Sequence, residues 1–127
     1  MEMKNKLFLL TLLALWIAGC GGGVITNLTP TQLPRNPTGQ YLVEMQLSTM
    51  QQTMRPESIT PFVVIGFNEY KMRPTEKMVD RWETYIPVPV NEDVVTYHFK
   101  VNYLYNRFGK PGEGSLRSPP YKLKISQ

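Results

Sequence analysis

Residues 94–106 (VVTYHFKVNYLYN) alternate between apolar and polar positions. Val95, Tyr97, Phe99, Val101, Tyr103 and Tyr105 fall on one face, and Thr96, His98, Lys100 and Asn102 on the other. Alternation at period two predicts a half-buried β-strand. Residues 41–48 (YLVEMQLS) repeat the pattern, with Tyr41, Val43, Met45 and Leu47 opposite Glu44, Gln46 and Ser48. Tyr121, Leu123 and Ile125 alternate with Lys122 and Lys124 in a last strand. Residues 62–67 (FVVIGF) form a continuous apolar run of strand length, which predicts a central strand buried on both faces.

The remaining segments are read from breakers and turn residues. Residues 24–28 (VITNL) open the strand-forming part and stop at Thr29-Pro30. Residues 81–90 (RWETYIPVPV) predict an edge strand, because Pro87 and Pro89 have no N–H to donate to a ladder. Asn68-Glu69 is a candidate turn into a short strand at residues 70–72. Residues 74–79 fit either a short helical turn capped by Thr75 or an irregular connection. Residues 31–40, 49–60 and 107–120 are rich in Pro, Gly or polar side chains and read as connections.

The first nineteen residues follow a different logic. Lys4 and Lys6 precede an uninterrupted apolar run at residues 7–17 (LFLLTLLALWI). A helix of that length spans about 16 Å, against a hydrocarbon core of about 30 Å, so it is too short to cross a membrane alone. A positive start, an apolar middle and a small-residue end make the layout of a secretory signal. Ile17-Ala18-Gly19-Cys20 resembles the lipobox of bacterial lipoproteins. The resemblance implies a diacylglyceryl group on the Cys20 sulfur, cleavage before Cys20 with Ile17, Ala18 and Gly19 as the recognition residues, and acylation of the new amino terminus. More than one acyl chain is needed for a stable anchor, since one alone is marginal. Cys20 is the only cysteine in 127 residues, so the chain has no internal disulfide and no multi-cysteine metal site. Gly21, Gly22 and Gly23 then form a flexible spacer. In a two-membrane bacterium the resemblance implies the outer membrane, on its periplasmic or its surface side, because Gly21 is not the aspartate that marks inner-membrane retention.

The expected organisation is therefore a signal peptide at 1–19, a lipidated cysteine and spacer at 20–23, and one domain at 24–127. About seven short strands with frequent turn signals predict an all-β fold, an antiparallel β-sandwich, with a small barrel as the alternative. The long tyrosine-rich strand followed by a short basic one resembles the closing hairpin of immunoglobulin-like and fibronectin type III domains. The cysteine pair of antibody domains is absent, and residues 62–67 lack their central tryptophan.

Charge and chemistry change this picture little. The formal charge of +4 falls to about +3 without the leader, too mild to imply nucleic acid. The cationic excess sits near the end: Arg107, Lys110, Arg117, Lys122 and Lys124 against Glu113. His98, the only histidine, is expected mid-strand rather than at the mouth of a site. The carboxylates Glu76, Asp80, Glu83, Glu92 and Asp93 are the candidates for hydrolase chemistry, but a domain of this size offers no deep cleft. The expectation is a protein that is not an enzyme and has no metal and no cofactor beyond the covalent lipid.

Two features are candidate binding surfaces. Trp82, Tyr85 and Tyr70 would make an aromatic platform for a sugar ring or a partner side chain, although burial habits favour Trp82 in the core. The loop carrying Arg107, Phe108 and Lys110 lies where a sandwich places recognition. The expected partners are the membrane through the lipid and either another envelope protein or a glycan. The function expected is a membrane-anchored envelope lipoprotein with a non-catalytic interaction module. A carbohydrate-binding lipoprotein is the alternative, and a small hydrolase the weaker one.

Overall fold

The computed structural model describes residues 23–49 and 52–127. The expected signal peptide and the lipidation site Cys20 lie outside the described residues. Ten strand segments follow in order: β1 (Val24–Asn27), β2 (Gln32–Pro34), β3 (Gln40–Ser48), β4 (Thr60–Ile65), β5 (Asn68–Lys71), β6 (Arg73–Pro74), β7 (Arg81–Pro87), β8 (Val94–Tyr105), β9 (Gly112–Arg117) and β10 (Tyr121–Ser126). A short 3-10 turn at Pro56–Ser58 precedes β4.

The strands form two sheets. One has the order β1-β3-β7-β6; the other has the order β2-β10-β8-β4-β5, with β9 also paired to β8. This is the immunoglobulin-like sandwich: β1, β3, β7 and β6 stand where A, B, E and D stand in that architecture. β8 takes the place of F, β4 that of C, and β9 with β10 that of a divided G.

The core forms because period two turns one side of each strand inward. Tyr41, Val43, Met45 and Leu47 of β3 face the interior from one sheet. Val95, Tyr97, Phe99 and Val101 of β8, with Leu123 and Ile125 of β10, do so from the other. Phe99 meets Tyr97 edge-on, with ring centroids 5.6 Å apart and planes at 81°. With no disulfide, Met45 and Phe99, both at 0% exposure, are part of what joins the sheets.

Several expectations need correction. The fold is not wholly antiparallel, because β2 pairs parallel with β10 through Leu33↔Ile125. Residues 31–40 therefore hold a strand as well as turns. It arises because the chain changes sheets at Thr29, whose hydroxyl donates to Glu44 O at 3.1 Å and accepts from Glu44 N at 3.0 Å. Residues 107–120 likewise contain β9, so that stretch is only partly a loop. The apolar run at 62–67 ends as a strand at Ile65; Gly66 (φ 59°) and Phe67 form a two-residue turn, and β5 starts at Asn68. Phe67 is thus fully exposed, and only Val63 and Val64 of the four residues 62–65 are buried. No helical turn forms at residues 74–79; Met78 N donates to Thr75 O in a turn between β6 and β7. The strand predicted at residues 81–90 ends at Pro87, and β6 covers its outer side only at Trp82 and Glu83.

β9 and β10 share one edge of β8 but differ in register by one residue. Lys100 pairs with Arg117, whereas Tyr97 pairs with Tyr121. The extra residue falls at Pro119-Pro120, which lack the N–H groups that continuous pairing would require. Just before it, Ser118 N donates to Phe99 O at 3.0 Å and Phe99 N donates to Ser118 Oγ at 2.8 Å. The break leaves β8 with a long extension beyond the core, paired to β9 alone.

Phe99→Ala should cost about 3–5 kcal/mol, the usual range for truncating a buried phenylalanine. Phe67→Ala should change stability by less than about 0.5 kcal/mol. Urea denaturation followed by circular dichroism measures both.

Candidate functional site

Two exposed features, the tip of the β8–β9 hairpin and Tyr85, lie toward opposite ends of the sandwich. β3 runs from Gln40 at one end to Ser48 at the other, and Val24 pairs with Ser48. The described chain therefore enters at the Ser48 end. The β6–β7 turn is at that end too, since Leu47 N donates to Asp80 O at 2.9 Å. So is the β8–β9 hairpin: a Cβ on Gly23 would lie 3.1 Å from Leu116 Cδ1 and 3.1 Å from Ser48 O.

The hairpin is built by cross-strand aromatic cover. Tyr103 stands opposite Gly114 and Tyr105 opposite Gly112. A Cβ at either glycine would overlap the facing ring. The rings fill the space that a side chain would occupy, which compensates for the weak strand preference of glycine. The long loop before β4 braces the other edge. Met54 forms a bridge with Tyr105 and is buried. Arg55 N donates to Leu104 O at 2.9 Å, and Leu104 N donates to Ser58 Oγ at 2.8 Å. Arg55 Nε also donates to Asn106 Oδ1 at 2.7 Å.

At the hairpin tip, Arg107 Nε donates to Lys110 O at 2.8 Å and closes the loop. Gly109 takes a φ of 87°, which a side chain disfavours. Phe108 between them is 107% exposed. Residues 106–111 contain two cations and no carboxylate. The structure thus brings Arg107, Phe108 and Lys110 together, as the sequence suggests. Beside the hairpin, Ser58, Thr60, Asn102, Leu104, Glu113 and Ser115 line an open hollow of about 650 Å³ that is polar and apolar in about equal measure.

Trp82, Tyr85 and Tyr70 do not share a surface. Trp82 and Tyr85 are three positions apart on β7 and so point to opposite faces. Trp82 is partly buried against the core, as is Tyr70 from the other sheet. Only Tyr85 is presented to solvent, at 50% exposure, with the Arg73 guanidinium carbon 5.9 Å from its ring centroid. Tyr85 borders a largely apolar hollow of about 430 Å³ with Leu33, Pro34, Tyr41 and Leu42. It pairs with Leu42, near the start of β3, so this hollow lies toward the end away from the chain entry. Leu33 and Pro34 belong to β2, and the sequence pattern does not reveal their place here.

The carboxylates considered for hydrolysis are scattered. Glu76 and Asp80 lie in the β6–β7 turn, and Glu83 faces Arg73 at 4.0 Å. Glu92 and Asp93 lie just before β8, where Asp93 pairs with Arg35 at 3.1 Å. Three of the hollows among the described residues are each lined by a single carboxylate: Glu113, Glu44 or Glu92. Among the described residues, no three His, Cys, Asp or Glu side chains stand close enough to hold a metal ion. His98 is half-buried on β8 opposite Val64, away from either strand end.

No family profile matches the chain, and no curated protein matches it either. A solved structure of murine CRIg aligns with 83% of this chain and 100% of its own, at 11% identity and a TM-score of 0.45.

Gly114→Val should destabilise the domain by about 1–3 kcal/mol through overpacking against Tyr103. Hydrogen exchange should show the loss concentrated at the amides of residues 102–105, with the β3 amides protected as before.

Proposed function

We propose that this protein is a lipid-anchored cell-envelope protein whose immunoglobulin-like sandwich serves as a non-catalytic interaction module. One observation carries the reading: Cys20, behind an apolar leader and the residues Ile17-Ala18-Gly19, stands only three positions before Gly23, the first described residue of the folded domain. A lipid on that sulfur would hold the sandwich close to a bilayer by its Ser48 end. The opposite end would then face away, with Tyr85 and the apolar hollow beside it free to receive a partner. A half-exposed tyrosine next to leucine and proline side chains offers flat apolar area with a polar handle, the usual make-up of a protein contact. A sugar platform would need a second exposed ring beside Tyr85, and Trp82 is turned to the other face.

Mass spectrometry of the purified mature protein should show diacylglyceryl and acyl groups on Cys20 and no leader. Cys20→Ser should move the protein from the membrane fraction to the soluble fraction or leave it as an unprocessed precursor. An unmodified thiol in a protein that still carries residues 1–19 would refute the anchor. For the module, a photo-crosslinker at Tyr85 in intact cells should give a discrete adduct that one at Lys122 does not.

A further inference from the structure

We infer that the tip of the β8–β9 hairpin is a second membrane contact: Phe108 enters the acyl boundary of the bilayer, and Arg107 and Lys110 meet the lipid phosphates. The inference rests on the anchored reading above and adds an orientation to it.

Lengths along the chain set the depth of the tip. Gly23 lies beside Leu116, which pairs with Val101. From that level the hairpin continues through Tyr105↔Gly112, four residue pairs further on. At about 3.3 Å per residue that is a projection of about 13 Å, before residues 106–111 are added. From Gly23 back to Cys20 there are three peptide steps, which reach at most about 11 Å when fully extended. A Cys20 whose acyl chains lie in the bilayer cannot hold the domain clear of the surface by more than this. With the hairpin directed toward the bilayer, its tip therefore reaches at least as deep as the lipidated residue.

The chemistry of the tip suits that depth. Phe108 is fully exposed among the described residues, and its two cationic neighbours are joined by the hydrogen bond from Arg107 Nε to Lys110 O. Cationic side chains bind phosphates while their stems lie along apolar surface, and a phenylalanine is among the side chains that bury at the headgroup–acyl boundary. Tyr103 and Tyr105 behind the tip are half-buried against glycine, so the hairpin is stiff enough to transmit the constraint. The β6–β7 turn at the same end exposes Met78 and Val79, which would rest on the same surface. The occupant is a phospholipid bilayer rather than a protein, because the short tether brings a bilayer to this end before any partner can reach it.

The test uses the full lipidated protein in vesicles of phosphatidylethanolamine and phosphatidylglycerol. A nitroxide is attached to Phe108→Cys, and in a second sample to Phe67→Cys at the opposite end. At position 108 the label should lose most of its collisions with an aqueous nickel chelate and gain collisions with oxygen dissolved in the acyl region. At position 67 it should stay fully accessible to the chelate. Arg107→Glu combined with Lys110→Glu should return the position 108 label toward the aqueous values without releasing the protein from the vesicles. A protein that co-floats with vesicles but keeps its position 108 label in water overturns this inference alone. A protein with an unmodified Cys20 thiol that does not co-float overturns the anchor and the inference together.

Discussion

Two facing rows of inward side chains hold the sandwich together, and no covalent link assists them. β8 contributes Val95, Tyr97, Phe99 and Val101, and β3 contributes Tyr41, Val43, Met45 and Leu47, all at 6% exposure or less. In a domain of about a hundred residues the apolar area removed from water is the dominant favourable term. Disulfide-bearing sandwiches reduce the entropy of their unfolded chains by cross-linking the sheets. Here the same span is filled with large side chains, so stability depends on continuous packing. Among the described residues Thr75 Oγ1 is buried without a partner, but a polar atom inside the core is costly unless it has one. Tyr97 illustrates this, since its hydroxyl accepts from Asn27 Nδ2 at 2.8 Å at the strand where the chain is about to change sheets.

That dependence explains where the chain leaves regular pairing. The change of sheets at Thr29 and the extra residue at Pro119-Pro120 both occur beside buried rows, and in both places a hydroxyl substitutes for a missing backbone partner. Thr29 Oγ1 bonds the backbone of Glu44, and Ser118 Oγ accepts from Phe99 N. Arg35 performs a related task at the far end, donating to Glu92 O at 2.6 Å and so tying β2 to the connection before β8. The irregular positions thus keep the two sheets in register without interrupting the core.

The two ends of the sandwich differ in chemistry. The end of chain entry carries the stiff β8–β9 hairpin, two cations and an exposed phenylalanine. The other carries Tyr85 and a mostly apolar hollow. In the anchored arrangement proposed above, the first end would lie near the membrane and the second would be left to meet partners. The carboxylates are dispersed over both ends and bind cations or occupy turns, an arrangement suited to solubility and strand ordering.

Strand periodicity was legible from the sequence wherever a strand is long and one-sided. β3, β8 and β10 announce their inner faces residue by residue, because alternation follows from backbone geometry alone. The odd spacing of Trp82 and Tyr85 already places them on opposite faces, and the chemistry of Arg107, Phe108 and Lys110 as a loop tip is equally local. The resemblance of residues 1–20 to a lipoprotein leader likewise rests on consecutive residues alone. Pairing is not local. β2 is three residues ending in proline and becomes a strand only because β10 lies beside it. β9 is rich in glycine, and glycine is acceptable there only because Tyr103 and Tyr105 come from another strand to fill the space. Phe67 leaves the apolar run because Gly66 allows a tight turn that β5 then rewards with pairing. Alternation along the chain is enough to tell which side of each long strand is buried. Tertiary structure alone decided which strands neighbour each other and which end the chain enters, since these depend on contacts between residues far apart in the chain.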